Sequence, residues 1–113
     1  MKQMLPTNGK FLIYTPRLSH HRNRAEVVGS AVAKVANRIE MEMEVARRAQ
    51  LLSVYVYYRN GQDAEEIPIY CDWGKDWSEN DVCHAIKSVM FALSFHPKHA
   101  SLRAVRKELC ALS

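Results

Sequence analysis

An Asn-Gly dipeptide between two alternating apolar runs is the feature that most limits how this chain folds. It lies in the segment from Leu52 to Cys71, LSVYVYYRNGQDAEEIPIYC. Asn60-Gly61 predicts a β-hairpin, because a type I′ turn needs positive φ at both central residues and these two types tolerate it. Side chains alternate along a strand, so Leu52, Val54, Val56 and Tyr58 are expected on a core face. Ser53, Tyr55 and Tyr57 then occupy the opposite face, together with Leu12, Tyr14 and either Pro68 or Tyr70 of neighbouring strands. Tyrosine rings with polar tips call for a partner or a wet boundary.

The flanking segments supply the layers around this hairpin. Phe11 to Tyr14 reads as a short strand ending before Pro16, and residues 1–9 as a loose arm carrying Pro6, Asn8 and Gly9. A long helix is expected from Asn23 to Gln50, opened by an Asn23–Glu26 capping box. Val28, Val32, Val35, Ile39, Met43 and Ala46 form its apolar stripe. Arg38–Glu42 and Glu44–Arg48 are four apart and pair along such a helix.

After an Asp72–Asp76 turn, Ser78 is expected to cap a second helix with Asp81 at the third position and Trp77 and Val82 as a hydrophobic staple. Its stripe is Val82, Ile86, Val89 and Leu93, with Met90 beside it, and Pro97 sets a boundary near His96. A last helix runs from Pro97 or Ser101 to Ala111, with Leu102, Val105, Leu109 and Leu112 on one face.

The expected fold is a single α+β domain over residues 1–113 in the order β-α-β-β-α-α. Its sheet is three-stranded, with the hairpin's first strand in the middle, packed against helices. The long helix between the first strand and the hairpin's first strand implies a parallel, right-handed crossover if those two are neighbours. Pro68 has no N–H to donate, which assigns its strand to an edge.

A chain of 113 residues, 48% of them hydrophobic and 25% charged, buries a core without metal or disulfide staples. Cys71, Cys83 and Cys110 are an odd set without CxxC spacing, which fits a reducing compartment. No apolar run has signal-peptide or membrane-span length. The expected location is the cytoplasm, with no membrane partner.

The net charge of +4 hides a segregated pattern. Residues 1–24 hold Lys2, Lys10, Arg17, Arg22 and Arg24 without an acid, with His20 and His21 among them. Lys98, Arg103, Arg106 and Lys107 make the other end basic. Between them lie Asp63, Glu65, Glu66, Asp72, Asp76, Glu79 and Asp81.

No GxSxG, Walker loop, GxGxxG or HExxH occurs, and Cys83 and His84 diverge as helix neighbours. Only His96 and His99 approach metal-pair spacing. The expectation is therefore no catalytic residue, no cofactor and no metal. What remains is a non-catalytic protein-binding module, a small regulator, adaptor or inhibitor. It would use Tyr55, Tyr57 and Tyr70 with the acidic Glu65 and Glu66, its partner another protein or a second copy in a homodimer. The alternative is a nucleic-acid-binding module using Arg17, His20, His21, Arg22, Arg24, Arg103, Arg106 and Lys107, because such groups neutralise phosphates.

Overall fold

The computed structural model describes residues 9–16, 22–48, 50–61, 64–72 and 77–110. In chain order they form β1 (Gly9–Thr15), α1 (Arg22–Arg38), β2 (Glu42–Arg47), β3 (Val54–Asn60), β4 (Glu66–Asp72) and α2 (Glu79–Leu93). A 3-10 segment (Pro97–Val105) and α3 (Arg106–Cys110) follow. This is a compact α+β domain. The strands make one mixed four-stranded sheet in the order β2-β1-β3-β4. The first strand and the hairpin's first strand are neighbours but antiparallel, not parallel as expected: the parallel crossover through α1 leads to β2, and β3 is antiparallel to both β1 and β4.

Alternation along the two central strands sorts the sheet into two faces. Phe11 and Ile13 of β1 and Val54, Val56 and Tyr58 of β3 are buried in one core. From α1 it receives Val28, Val32 and Val35, and from the turn that follows, Ile39; from α2, Val82, Ile86 and Met90; from the C-terminal segments, Leu102, Val105 and Leu109. Each such side chain contributes about 1.5–3 kcal/mol relative to exposure. Tyr58 meets Phe11 and His99 edge-on at 6.4 and 5.6 Å between ring centroids. Burial pushes its hydroxyl pKa up to about 12.

The sheet has four strands rather than three because the long helix ends at Arg38, not Gln50. Glu40 takes a left-handed conformation at φ 55°. The Met41 N–H bonds the Ala36 carbonyl at 2.9 Å, and the Glu40 N–H the Asn37 carbonyl at 3.4 Å. That pair of bonds is a Schellman stop, which satisfies the last carbonyls and turns the chain out of the helix. Met43 and Ala46 therefore lie on β2, and the expected Arg38–Glu42 and Glu44–Arg48 helix pairs do not form. Glu44 instead pairs with Lys10 of β1 at 3.1 Å. At its start, α1 begins at Arg22, so Asn23 lies inside the first turn rather than capping it.

Other expectations also change. Asn60 does not enter a two-residue turn; it stays in β3 opposite Gly9, and its side chain donates to the Lys98 carbonyl at 3.3 Å. The β3–β4 ladder closes at Arg59–Glu66, leaving a longer loop in which Gly61 has φ +97°. Leu52 precedes β3 and is exposed. Gly9 belongs to β1 rather than to an arm. The expected last helix is 3-10 as far as Val105, though Leu102, Val105 and Leu109 are buried as the spacing implied; Leu112 lies outside the described residues.

Two expectations are met closely. The Ser78 hydroxyl accepts from the Asp81 N–H at 3.1 Å while the Asp81 carboxylate accepts from the Ser78 N–H at 3.2 Å, a complete capping box. Pro68 lies on β4, an edge strand.

Candidate functional site

The sheet's second face carries the residues that alternate with the core set: Lys10, Leu12 and Tyr14 of β1, and Tyr55, Tyr57 and Arg59 of β3. None of the apolar ones belongs to the helix-covered core or packs against it. Register brings them together, since Tyr14 lies opposite Tyr55, Leu12 opposite Tyr57 and Lys10 opposite Arg59. Leu12 forms the floor of the face, 5% exposed. The three tyrosines are half-buried around it.

The rings are held in place. Tyr14 and Tyr57 meet edge to face at 5.4 Å. The Arg48 guanidinium stands 4.9 Å from the Tyr14 ring centroid, a cation–π contact. The Tyr14 hydroxyl reaches across β3 and donates to Glu66 of β4 at 2.8 Å. Burial and that carboxylate raise the Tyr14 pKa. The neighbouring Cys71, opposite Tyr55 in the ladder, raises the Tyr55 pKa. At neutral pH both hydroxyls are therefore protonated donors and not nucleophiles. Charges of both signs rim the rings: Lys10, Arg48 and Arg59 against Glu42, Glu44 and Glu66. The face offers aromatic surface, hydrogen-bond donors and balanced charge.

Tyr70 is not on this face. A register shift between Val56 and Tyr57 places Pro68 opposite Tyr57 and Tyr70 opposite Val56, leaving Ile69 as the extra residue of a β-bulge. The bulge returns Tyr70 to the helix side, where its hydroxyl donates to Asp72 at 2.9 Å. Burial, and then Asp72, push its pKa up to about 12. Of the acidic pair, Glu66 is engaged by Tyr14 and Glu65 is exposed.

The basic residues do not assemble into one patch. Arg17, His20 and His21 lie outside the described residues, as does the side chain of Arg22. Arg24 donates to Asp72 and to the Trp77 carbonyl just ahead of α2. Arg106 donates to the hydroxyl and carbonyl of Ser94, the C-cap of α2, and stacks on Phe95 at 3.9 Å. The two guanidinium groups thus serve opposite ends of a 15-residue helix, about 22 Å apart at 1.5 Å per residue. Arg103 and Lys107 are exposed.

Glu44 and Arg48 were invisible as members of the tyrosine face, because their placement depends on β2 being a strand. A cleft of about 490 Å³ between α1 and α2, lined by Lys34, Arg38, Cys83, His84 and Lys87, likewise has no linear signature. Lys34 there is paired with Glu79. Among the described residues no group of three or more His, Cys, Asp or Glu side chains could hold a metal ion, and no helix is long and apolar enough to cross a membrane. Comparison with protein families, with curated proteins and with solved structures finds no match to this chain.

Proposed function

We propose that this chain is a non-catalytic protein-binding module, a small regulator, adaptor or inhibitor, whose contact surface is the tyrosine face of the sheet. The observation that carries the reading is that Tyr14, Tyr55 and Tyr57 cluster over Leu12 on the face opposite the helix-covered core. Ordered aromatic rings lose little entropy on docking and dominate many protein interfaces. A rim with both charge signs suits a protein surface better than a uniformly anionic polymer. Glu65 and Glu66 extend the surface along the β4 edge. Arg24 and Arg106 are engaged within the fold, which weakens the alternative of nucleic-acid binding through the chain's basic ends.

The test is a Tyr55→Ala, Tyr57→Ala double variant. It should keep the circular dichroism of the parent, because neither ring belongs to the core. It should lose a captured protein partner that the parent retains, at about 2 kcal/mol or more for each true hot spot. A folded variant that keeps every partner of the parent would overturn this site. Fluorescence anisotropy with single-stranded RNA and DNA at low salt separates the alternative. Tight binding that weakens steeply with salt and with Arg103→Ala plus Lys107→Ala would favour nucleic acid.

A further inference from the structure

We propose that a second copy of this chain pairs with the open edge of β2, antiparallel about a two-fold axis at Val45, joining two sheets into one of eight strands. Among the described residues, no strand pairs with the outer edge of β2. An open edge presents unpaired N–H and C=O groups, and chains usually blunt it. The two edges of this sheet are treated differently. β4 carries Pro68, a bulge and two adjacent acids, Glu65 and Glu66, at its start. β2 has an uninterrupted register with β1 from Glu42 to Arg47, no proline, and Val45 at its middle, 55% exposed. The ladder continues to Arg48, whose N–H bonds the Thr15 carbonyl at 2.9 Å.

The charges on this edge select the occupant. Glu42 and Glu44 precede Val45, and Arg47 and Arg48 follow it. Pairing about Val45 sets Glu42 opposite Arg48 of the second copy, with Glu44 on the diagonal, and symmetry repeats the contact; the Arg48 guanidinium swings outward from the Tyr14 ring to make it. A parallel arrangement in the same register would set like charges against each other. Glu42 makes no ion pair within the described residues. Face matching is also automatic, since Glu42, Glu44, Ala46 and Arg48 share one side of the strand and Val45 meets Val45 on the other.

A two-fold axis normal to the sheet puts the helices of both copies on one side and both tyrosine faces on the other. The two β3 strands would lie about 24 Å apart, five strand spacings of about 4.8 Å. The dimer itself does not depend on the tyrosine face binding anything.

Sedimentation of the full chain over a concentration series at low salt tests this. Edge pairing is small by the standard of permanent dimers, so a reversible monomer–dimer equilibrium is expected. Glu42→Arg alone and Arg48→Glu alone should each weaken the dimer by about tenfold or more. Their equimolar mixture should restore it, because both cross-strand pairs are then of opposite sign. Val45→Lys gives a second disruption at an exposed position, and Tyr57→Ala should leave the dimer intact. A parent that stays monomeric at the highest attainable concentration would overturn the proposal. So would a dimer indifferent to both charge reversals, or one lost with Tyr57→Ala in a folded chain.

Discussion

Arg24 grips Asp72 with two parallel hydrogen bonds, Nε to Oδ2 at 2.9 Å and Nη2 to Oδ1 at 2.7 Å. The pair fastens the first turn of α1 to the end of β4. A third bond, from Nη1 to the Trp77 carbonyl at 2.9 Å, fastens both to the approach to α2. The Asp72 side chain is 2% exposed and also accepts from Tyr70, so the carboxylate is almost fully removed from water. Arg24→Ala should therefore cost about 3 kcal/mol or more, most of it from a buried charge left unpaired. Urea unfolding checks this, and replacing both partners with apolar residues of similar volume should recover much of the loss.

His99 makes stability pH-dependent. Burial lowers its pKa below the ordinary value, and the nearby His96 and Lys98 lower it further. The unfolded chain then binds the proton more readily than the folded one. Stability from neutral His99 is complete above the unfolded value of about 6.5 and is lost as pH falls through the folded value. His99→Phe retains a ring against Tyr58 and should flatten this limb. Parent-minus-variant urea midpoints at about pH 7.5 and about pH 5, either side of the unfolded value, isolate the effect from the carboxylates.

Gly9→Ala should destabilise the sheet through a collision. A Cβ there would lie 2.6 Å from Cε1 and 3.2 Å from the hydroxyl of Tyr58, and 3.1 Å from the Met41 methyl. The methionine end can move, but the Tyr58 ring is fully buried between Phe11 and His99. Overpacking of this kind costs about 1–3 kcal/mol. Thermal melting of Gly9→Ala against the parent measures it.

What was legible in the sequence was local. Ser78 and Asp81 announce the start of α2 because a capping box is closed within four residues. Val54, Val56 and Tyr58 separate from Tyr55 and Tyr57 because alternation needs only one strand. The position of Tyr70 was not legible, since the Ile69 bulge inverts the alternation and is defined only by the pairing with β3. β2 was hidden for a related reason. Met43 and Ala46 continue the helical spacing of Val35 and Ile39, and the residue that stops α1 is a glutamate, which carries no stop signal. Losing β2 also concealed Glu44 and Arg48 as the flank of the tyrosine face.

That missing signal gives a direct experiment at Glu40. Its φ of 55° lies in the left-handed region, where a side chain with a Cβ costs about 1–2 kcal/mol and glycine is the usual occupant of this position after a helix. Glu40→Gly removes that strain while keeping the backbone bonds from Met41 to Ala36 and from Glu40 to Asn37. Part of the gain is offset by the greater freedom of glycine in the unfolded chain and by the side-chain contact that is lost. The net expectation is a stabilisation of up to about 1 kcal/mol, read as a higher urea midpoint at unchanged slope. Glu40→Val, β-branched and less tolerant of positive φ, should move the midpoint the other way. Equal midpoints for all three chains would mean that this turn does not hold the left-handed conformation in solution.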